Sequence, residues 1–308
     1  MLTLNIVQSA LELGFMYALV ALALFLSFSI LNIADLTTDG SFTLGCAVSA
    51  VVCMAGHPIL AIFAAMIAGA LAGFITAFLQ TKLGVPSILA GIITNVGLYS
   101  INLAVMGFSS NLSLFKIETI FTMGKDYIGG EWYKLIIAAT ITITVGVILY
   151  FFLNTTLGMS IRATGDNPDM VRASSINPTF TITVGLCIAN AMTGLSGAIL
   201  GQYQRSSDIN LGTGMVVIGL ASLIIGETLL GKKGIARWIL ATIFGSLLYR
   251  FIIALALRFD IPAEMLKLVS AFIVAIAIAL PTIKENIALR KQRVQQRKRL
   301  YQGGKNNA

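Results

Sequence analysis

Ionisable chemistry is scarce in this chain. Of its 308 residues, 11% are charged, one is histidine and three are cysteine. The lone His57, in a predicted outer turn beside Pro58, leaves a zinc site or histidine-based catalysis without a second group to build on. Cys46, Cys53 and Cys187 fall in apolar stretches with neither metal-ligand spacing nor a disulfide framework, and read as small packing residues. Neither HExxH nor GxSxG occurs, and no aspartates pair at protease-like sites, which argues against an intramembrane enzyme. The closest approach to a phosphate-binding loop runs from Gly226 to Lys233. It fails at its last position, where a magnesium-binding hydroxyl is required and Lys233 brings a competing cation. It also follows an apolar span rather than a strand, so the chain is not expected to hydrolyse ATP itself.

What is abundant is apolar surface. Hydrophobic residues make up 57% and mean hydropathy is +0.88, whereas a soluble domain is about 25% charged. A bilayer core of about 30 Å takes roughly 20 apolar residues per helix. Windows of that size give spans near 9–31, 42–56, 59–80, 86–107, 134–153, 178–203, 213–230, 238–257 and 265–281. The expected fold is all-α, a polytopic transmembrane bundle of about nine helices over residues 1–281, followed by a basic tail at 282–308. The second span is short, which suits a tilted helix, a broken one, or part of a longer segment interrupted near Asp39-Gly40. The first span lacks a basic leader region and an A-x-A site and is expected to stay as a mature helix.

Orientation follows from lysine and arginine, which remain on the cytoplasmic side during insertion. Lys284, Arg290, Lys291, Arg293, Arg297, Lys298, Arg299 and Lys305 oppose only Glu285, so most of the net charge of +8 sits in the tail. The C-terminus is therefore expected to be cytoplasmic, together with Lys82, Arg162, Arg172, Lys232, Lys233 and Arg237. Nine spans then put the N-terminus outside and make Asn111 to Glu131 the main outer loop. The tail fits a topology signal and anionic lipid. It does not fit nucleic acid, which needs a basic face interleaved with aromatics on a folded module.

Between the fifth and sixth spans lies a polar island, Leu157 to Ala173, within a loop of about 155–177. Asn167, Pro168 and Asp169 read as an N-cap, a first-turn proline and an acid at the positive helix end. A short helix is expected from there to about Ile176, before Asn177-Pro178 repeats the signal. Such a helix across the membrane face is a peg for a soluble partner.

Other polar groups fall at membrane depth, where a charge costs about 2.5–3.5 kcal/mol and unpaired acids are rare without a use. These are Asp35, Asp39, Asn95, Asn190 and Glu227, candidates for a solute path or conformational coupling, and Glu12, nearer a helix end and read as interfacial or structural. The 29 glycines imply close helix packing, for example along Gly194, Gly197 and Gly201. The turns Asp35 to Gly40 and Asp208 to Gly214 follow the first and sixth spans. An odd number of helices separates them, as an inverted internal repeat requires.

The island carries a family resemblance. Gly158, Arg162, Ala163, Gly165, Asn167 and Ala173 match G-x-x-x-R-A-x-G-x-N-x-x-x-x-x-A, the cytoplasmic motif of permeases in ATP-binding-cassette importers of the branched-chain amino acid and ribose type. Gly226 to Gly234 resembles that family's glycine-rich turn, and Asn32 to Gly45 its early polar turn. Glu227 stands where members often have a second glycine, which is similar to a subgroup proposed for tryptophan or tyrosine uptake. The resemblance implies a bacterial cell-membrane homodimer with no cofactor in this chain. It implies two cytoplasmic subunits carrying ATP and Mg, and an extracytoplasmic solute-binding lipoprotein. It also makes the island a coupling helix, with Gly158, Arg162, Ala163, Gly165, Asn167, Pro168, Asp169, Met170 and Arg172 engaging the ATPase. The competing class is an ion-coupled secondary transporter that uses Asp35, Asp39 and Glu227. A passive scaffold does not account for polar groups suited to a cavity.

Overall fold

The computed structural model describes residues 4–130 and 132–258, with scattered positions between 265 and 279. Among the described residues, six helices are long and apolar enough to cross a bilayer. They are α1 (Leu4–Leu24, extended by a π-helical segment Phe25–Ile30), α3 (Pro58–Thr81), α4 (Ser87–Val105), α6 (Tyr133–Leu153), α9 (Pro178–Gln204) and α11 (Ile235–Arg258). Two shorter apolar helices, α2 (Thr38–Met54) and α10 (Met215–Leu230), accompany them. The sequence-predicted spans up to residue 257 coincide with these eight elements within a few residues, apart from the start of α1; the span at 265–281 and the basic tail lie outside the described residues or largely so.

The bundle is built around α1 and α9. In α1, 78% of the apolar window is buried, against 22% in α6 and 28% in α4, so the latter two present most of their surface outward. Lipid supplies no hydrophobic drive between helices, and α9 associates instead through close backbone approach. A Cβ at Gly197 would strike the Phe42 carbonyl of α2, one at Gly69 the Asn190 carbonyl of α9, and one at Gly45 the Gly194 carbonyl. Buried hydroxyls stitch the same surfaces: Ser196 Oγ donates to the Met16 carbonyl at 2.7 Å, and Thr142 Oγ1 to the Phe15 carbonyl at 2.8 Å.

The short helices begin at mid-depth. Asn190 lies near the middle of α9, about 20 Å of helical rise from either end. It bonds to Asp35 and Ser41, which fixes the start of α2 at that level. From there α2 runs toward the C-terminal end of α9, where Cys46 approaches Ser206. In contrast, α10 starts beside Asp39 and ends where Glu227 meets Ser29 at the foot of α1. The two helices therefore diverge from one level toward opposite ends of the bundle. The segment between α1 and α2 leaves helix because Asn32 takes φ 56° and Asp35 Oδ1 captures the Thr37 N–H at 2.9 Å, a local turn that competes with the helical ladder.

At one end, β1 (Asn111–Ser113) pairs antiparallel with β2 (Ser206–Asp208), Leu112 opposite Ser207. Beside them α5 (Ile120–Ile128) starts with a reciprocal capping box between Thr119 and Thr122. Gln202 Oε1 accepts the Ile120 N–H at 2.9 Å and ties α5 to α9. At the other end, the island forms α7 (Thr156–Asp166) and α8 (Pro168–Ala173). The helix anticipated to about Ile176 stops at Ala173, because Ser175 takes φ 61°. The eleven residues before Asn167 form a separate helix, α7, that the proline signal alone did not reveal.

Candidate functional site

The polar candidates separate into three places. Asp35 and Asn190 form a closed network inside the bundle. Asn190 Nδ2 donates to Asp35 Oδ2 at 2.7 Å, Ser41 Oγ donates to Asn190 Oδ1 at 2.7 Å, and Thr37, which binds Asp35, shares a 2.7 Å hydroxyl contact with Thr76. Asp35 is 2% exposed and Asn190 fully buried, with every polar arm engaged, as burial at this depth demands. This cluster fixes where α2 begins rather than facing an open space.

Asp39 and Asn95 meet at a cleft of about 480 Å³ beside the starts of α2 and α10, whose wall also includes Thr43, Tyr99, Asn102 and Asn210. The N-cap of α10 is Gly214, at φ 88°, which has no side chain to satisfy the first-turn amides. Asp39 supplies the missing acceptor from another helix: Gly214 N–H donates to Oδ2 and Val216 N–H to Oδ1, each at 2.9 Å. Thr43 adds a bond from the Gly212 N–H at 3.1 Å. The turns Asp35 to Gly40 and Asp208 to Gly214, compared as a repeat from sequence, are thus in contact. A carboxylate at the positive end of α10 stabilises both the orphan amides and the helix dipole. Asn95 Oδ1 sits against Gly40, where an added Cβ would come within 2.6 Å.

Glu227 is elsewhere. Its carboxylate pairs with Lys232 Nζ at 2.9 Å and accepts from Trp238 Nε1 at 2.6 Å and Ser29 Oγ at 3.1 Å. Lys232 also lies over the Trp238 ring at 5.4 Å. The glycine-rich turn between α10 and α11 is clamped to the foot of α1 through this one side chain. Glu12, 3% exposed, accepts from Tyr203 at 2.7 Å and from Gln8 at 3.0 Å.

The island lies apart from all of these. Asn167 Oδ1 accepts the N–H groups of Asp169 and Met170 at 3.1 Å each, the cap anticipated from its sequence. Val171 is 4% exposed and anchors α8, while Met170 is 69% exposed and Asp169 and Arg172 form a surface pair at 3.8 Å. Arg162 is half-buried on α7 and Ala163 is exposed. Gly158 and Gly165 are close-approach positions: a Cβ at Gly165 would overlap the Ile30 carbonyl at the end of α1, and one at Gly158 the Phe152 carbonyl. The island is therefore seated directly on α1.

Tyr99 and Asn102 were missed from sequence, although Asn95, Tyr99 and Asn102 fall at i, i+4 and i+7, a polar stripe along one face of an otherwise apolar helix. Asp39 as the cap of α10 had no local signal beyond the bare Gly214.

Apolar spans surrounding a polar mid-depth cleft, with a capped helix exposed at one end, are the architecture of a multi-pass membrane protein. Residues 6–279 match the family described as the permease component of branched-chain amino acid transport systems, and the chain belongs to that family. It is 34% identical over 275 residues to a tyrosine transport system permease protein of Clostridioides difficile, covering 89% of this chain and 90% of that one. It is also similar to a guanosine ABC transporter permease of Bacillus subtilis (23% identical over 226 residues, 71% of this chain and 64% of that one). A ribose import permease of Haemophilus influenzae is 24% identical over 253 residues, 79% of this chain and 75% of that one. No solved structure matches. The chain is a multi-pass ABC-type importer permease.

Proposed function

We propose that the chain forms, with a second copy of itself, the translocation path of an importer for an amino acid with a large, aromatic side chain. An extracytoplasmic binding protein delivers the solute and two separate ATPase subunits drive the cycle. The observation that carries this reading is α8: a capped six-residue helix with an exposed Met170, an anchored Val171 and a seat against α1. A rigid apolar knob with a polar rim suits a groove on a soluble partner. Movement of α7 and α8 reaches the foot of α1 through Gly165 and Ile30, and from there the Glu227 clamp on α10. The solute class draws on the similarity to the tyrosine permease and on the aromatic and amide groups of the cleft. The opposed courses of α2 and α10 from a shared level support an inverted repeat with the path at its interface. The positive-inside rule supports a cytoplasmic position for α8 and for the C-terminal tail.

The ion-coupled alternative needs acids open to the path, and of Asp35, Asp39 and Glu227 only Asp39 lines the cleft. The deciding experiment is ATP hydrolysis and L-tyrosine uptake by the permease co-purified with its candidate ATPase and reconstituted with the binding protein. Stimulation by loaded binding protein, lost in the Arg162→Glu, Met170→Asp double variant, supports the reading. Uptake driven by an ion gradient with the permease alone would overturn it.

A further inference from the structure

The mid-depth cleft holds an acceptor that no described residue uses. Asn102 is 2% exposed and belongs to the cleft wall. Its Nδ2 donates to the Gly40 carbonyl at 3.2 Å, which fixes the amide's orientation, and its Oδ1 is left buried without a hydrogen-bond partner. A buried amide oxygen without a donor costs free energy, and in a native fold it calls for an explanation. The Gly40 bond also holds Asn102 next to Asp39, the residue before it.

Asp39 has spare capacity of the same kind. Its oxygens accept the Gly214 and Val216 N–H groups, one each, with the Met215 N–H also turned toward the carboxylate, whereas each carboxylate oxygen can accept two. None of the described residues lining the cleft is basic, so no described side-chain cation there pairs with Asp39. The adjoining wall contributes the Asn95 carbonyl oxygen against Gly40 and the ring of Tyr99, 52% exposed. The result is an acceptor-rich, negatively charged recess beside an aromatic face.

We infer that this recess is a binding site for the ammonium group of the solute, with Asp39 as counter-charge, Asn102 Oδ1 as directed acceptor and Tyr99 flanking. Such a site suits a primary amine carrying an aromatic or large apolar body. It excludes carboxylates and phosphates that lack an ammonium, because no described residue lining the recess is a cation. The inference rests on the importer reading for the identity of the solute, but the site itself can be tested without the transport cycle.

The test is equilibrium binding to the full-length permease in lipid nanodiscs, with three probes: L-tyrosine, tyramine, and the des-amino analogue of tyrosine. Tyrosine and tyramine are expected to bind at least about tenfold more tightly than the des-amino analogue, the scale of one charge-assisted hydrogen bond. Asn102→Leu removes the acceptor and is expected to lose about tenfold on tyramine. Asn102→Asp keeps an acceptor while losing the donation to Gly40, and is expected to retain tyramine binding. If Asn102 served only to hold Gly40, the two variants would fail alike, and that result overturns the assignment. Equal binding of all three probes overturns it too, as does loss of tyramine binding when sodium replaces potassium at constant ionic strength, which would mark an inorganic-cation site. ATP-driven uptake is read separately: an ATP-coupled importer without preference for amines refutes the ammonium site alone, whereas amine binding without any ATPase coupling refutes the importer reading alone.

Discussion

Replacing Asp39 with alanine removes its side-chain cap from α10. Two backbone N–H groups, on Gly214 and Val216, lose acceptors at 2.9 Å, and Gly214 has no side chain to take over. A backbone donor left unsatisfied away from water costs about 1–3 kcal/mol, so the pair is worth about 2–6 kcal/mol before any helix-dipole contribution. Asp39→Asn keeps one carbonyl oxygen and can restore one of the two bonds, so it is expected to cost about half as much as alanine. The assay is equilibrium unfolding in mixed micelles of dodecyl maltoside and SDS, followed by circular dichroism, with Thr43→Val measured beside it because Thr43 caps the neighbouring Gly212. The reasoning is refuted if Asp39→Ala stays within about 0.5 kcal/mol of wild type, the range of an inconsequential substitution. It is equally refuted if asparagine is as damaging as alanine, because the effect would then belong to the charge and not to the cap.

Other substitutions probe other parts of the bundle. Asn190→Leu strands the Asp35 carboxylate and the Ser41 hydroxyl, and should destabilise by about 3 kcal/mol, with Asp35→Leu in the same chain recovering part of the loss; strictly additive costs in that double-mutant cycle would show that the network is not coupled. At Glu227, glutamine keeps acceptors for Trp238 and Ser29 and loses only the pairing with the largely exposed Lys232, so it should cost no more than about 1 kcal/mol, whereas Glu227→Ala, which frees all three partners, should cost more in the same unfolding assay. Gly45→Ala forces a methyl into the Gly194 carbonyl and should reduce the monodisperse fraction on gel filtration, while Gly97→Ala on α4, with open space around it, should be neutral or stabilising by up to about 1 kcal/mol. Equal behaviour of the two glycine variants would remove close packing as the reason for the α2–α9 contact.

The sequence by itself determined the class of the molecule and the position of its helices. Apolar windows must satisfy their backbone internally in lipid, which leaves helix as the form for each, and proline with asparagine marked the starts of α8 and α9 to the residue. The glycine, arginine and asparagine spacing of the island was legible because it is local. Short three-residue strands, the split between α7 and α8 and the capping box of α5 carried weaker signals, since each depends on a few residues or on a partner distant in the chain. Only the tertiary structure decided which polar groups share a site. Asp35 and Asp39 are four residues apart and look alike in sequence, yet one closes a buried network with Asn190 and the other caps α10 across the cleft. Glu227, of the same chemistry again, serves a clamp at the far end of α10. Hydropathy counts the cost of putting a carboxylate at membrane depth, but its partner is a matter of geometry. That geometry is set by how close the glycines of α9 allow α2 and α3 to come.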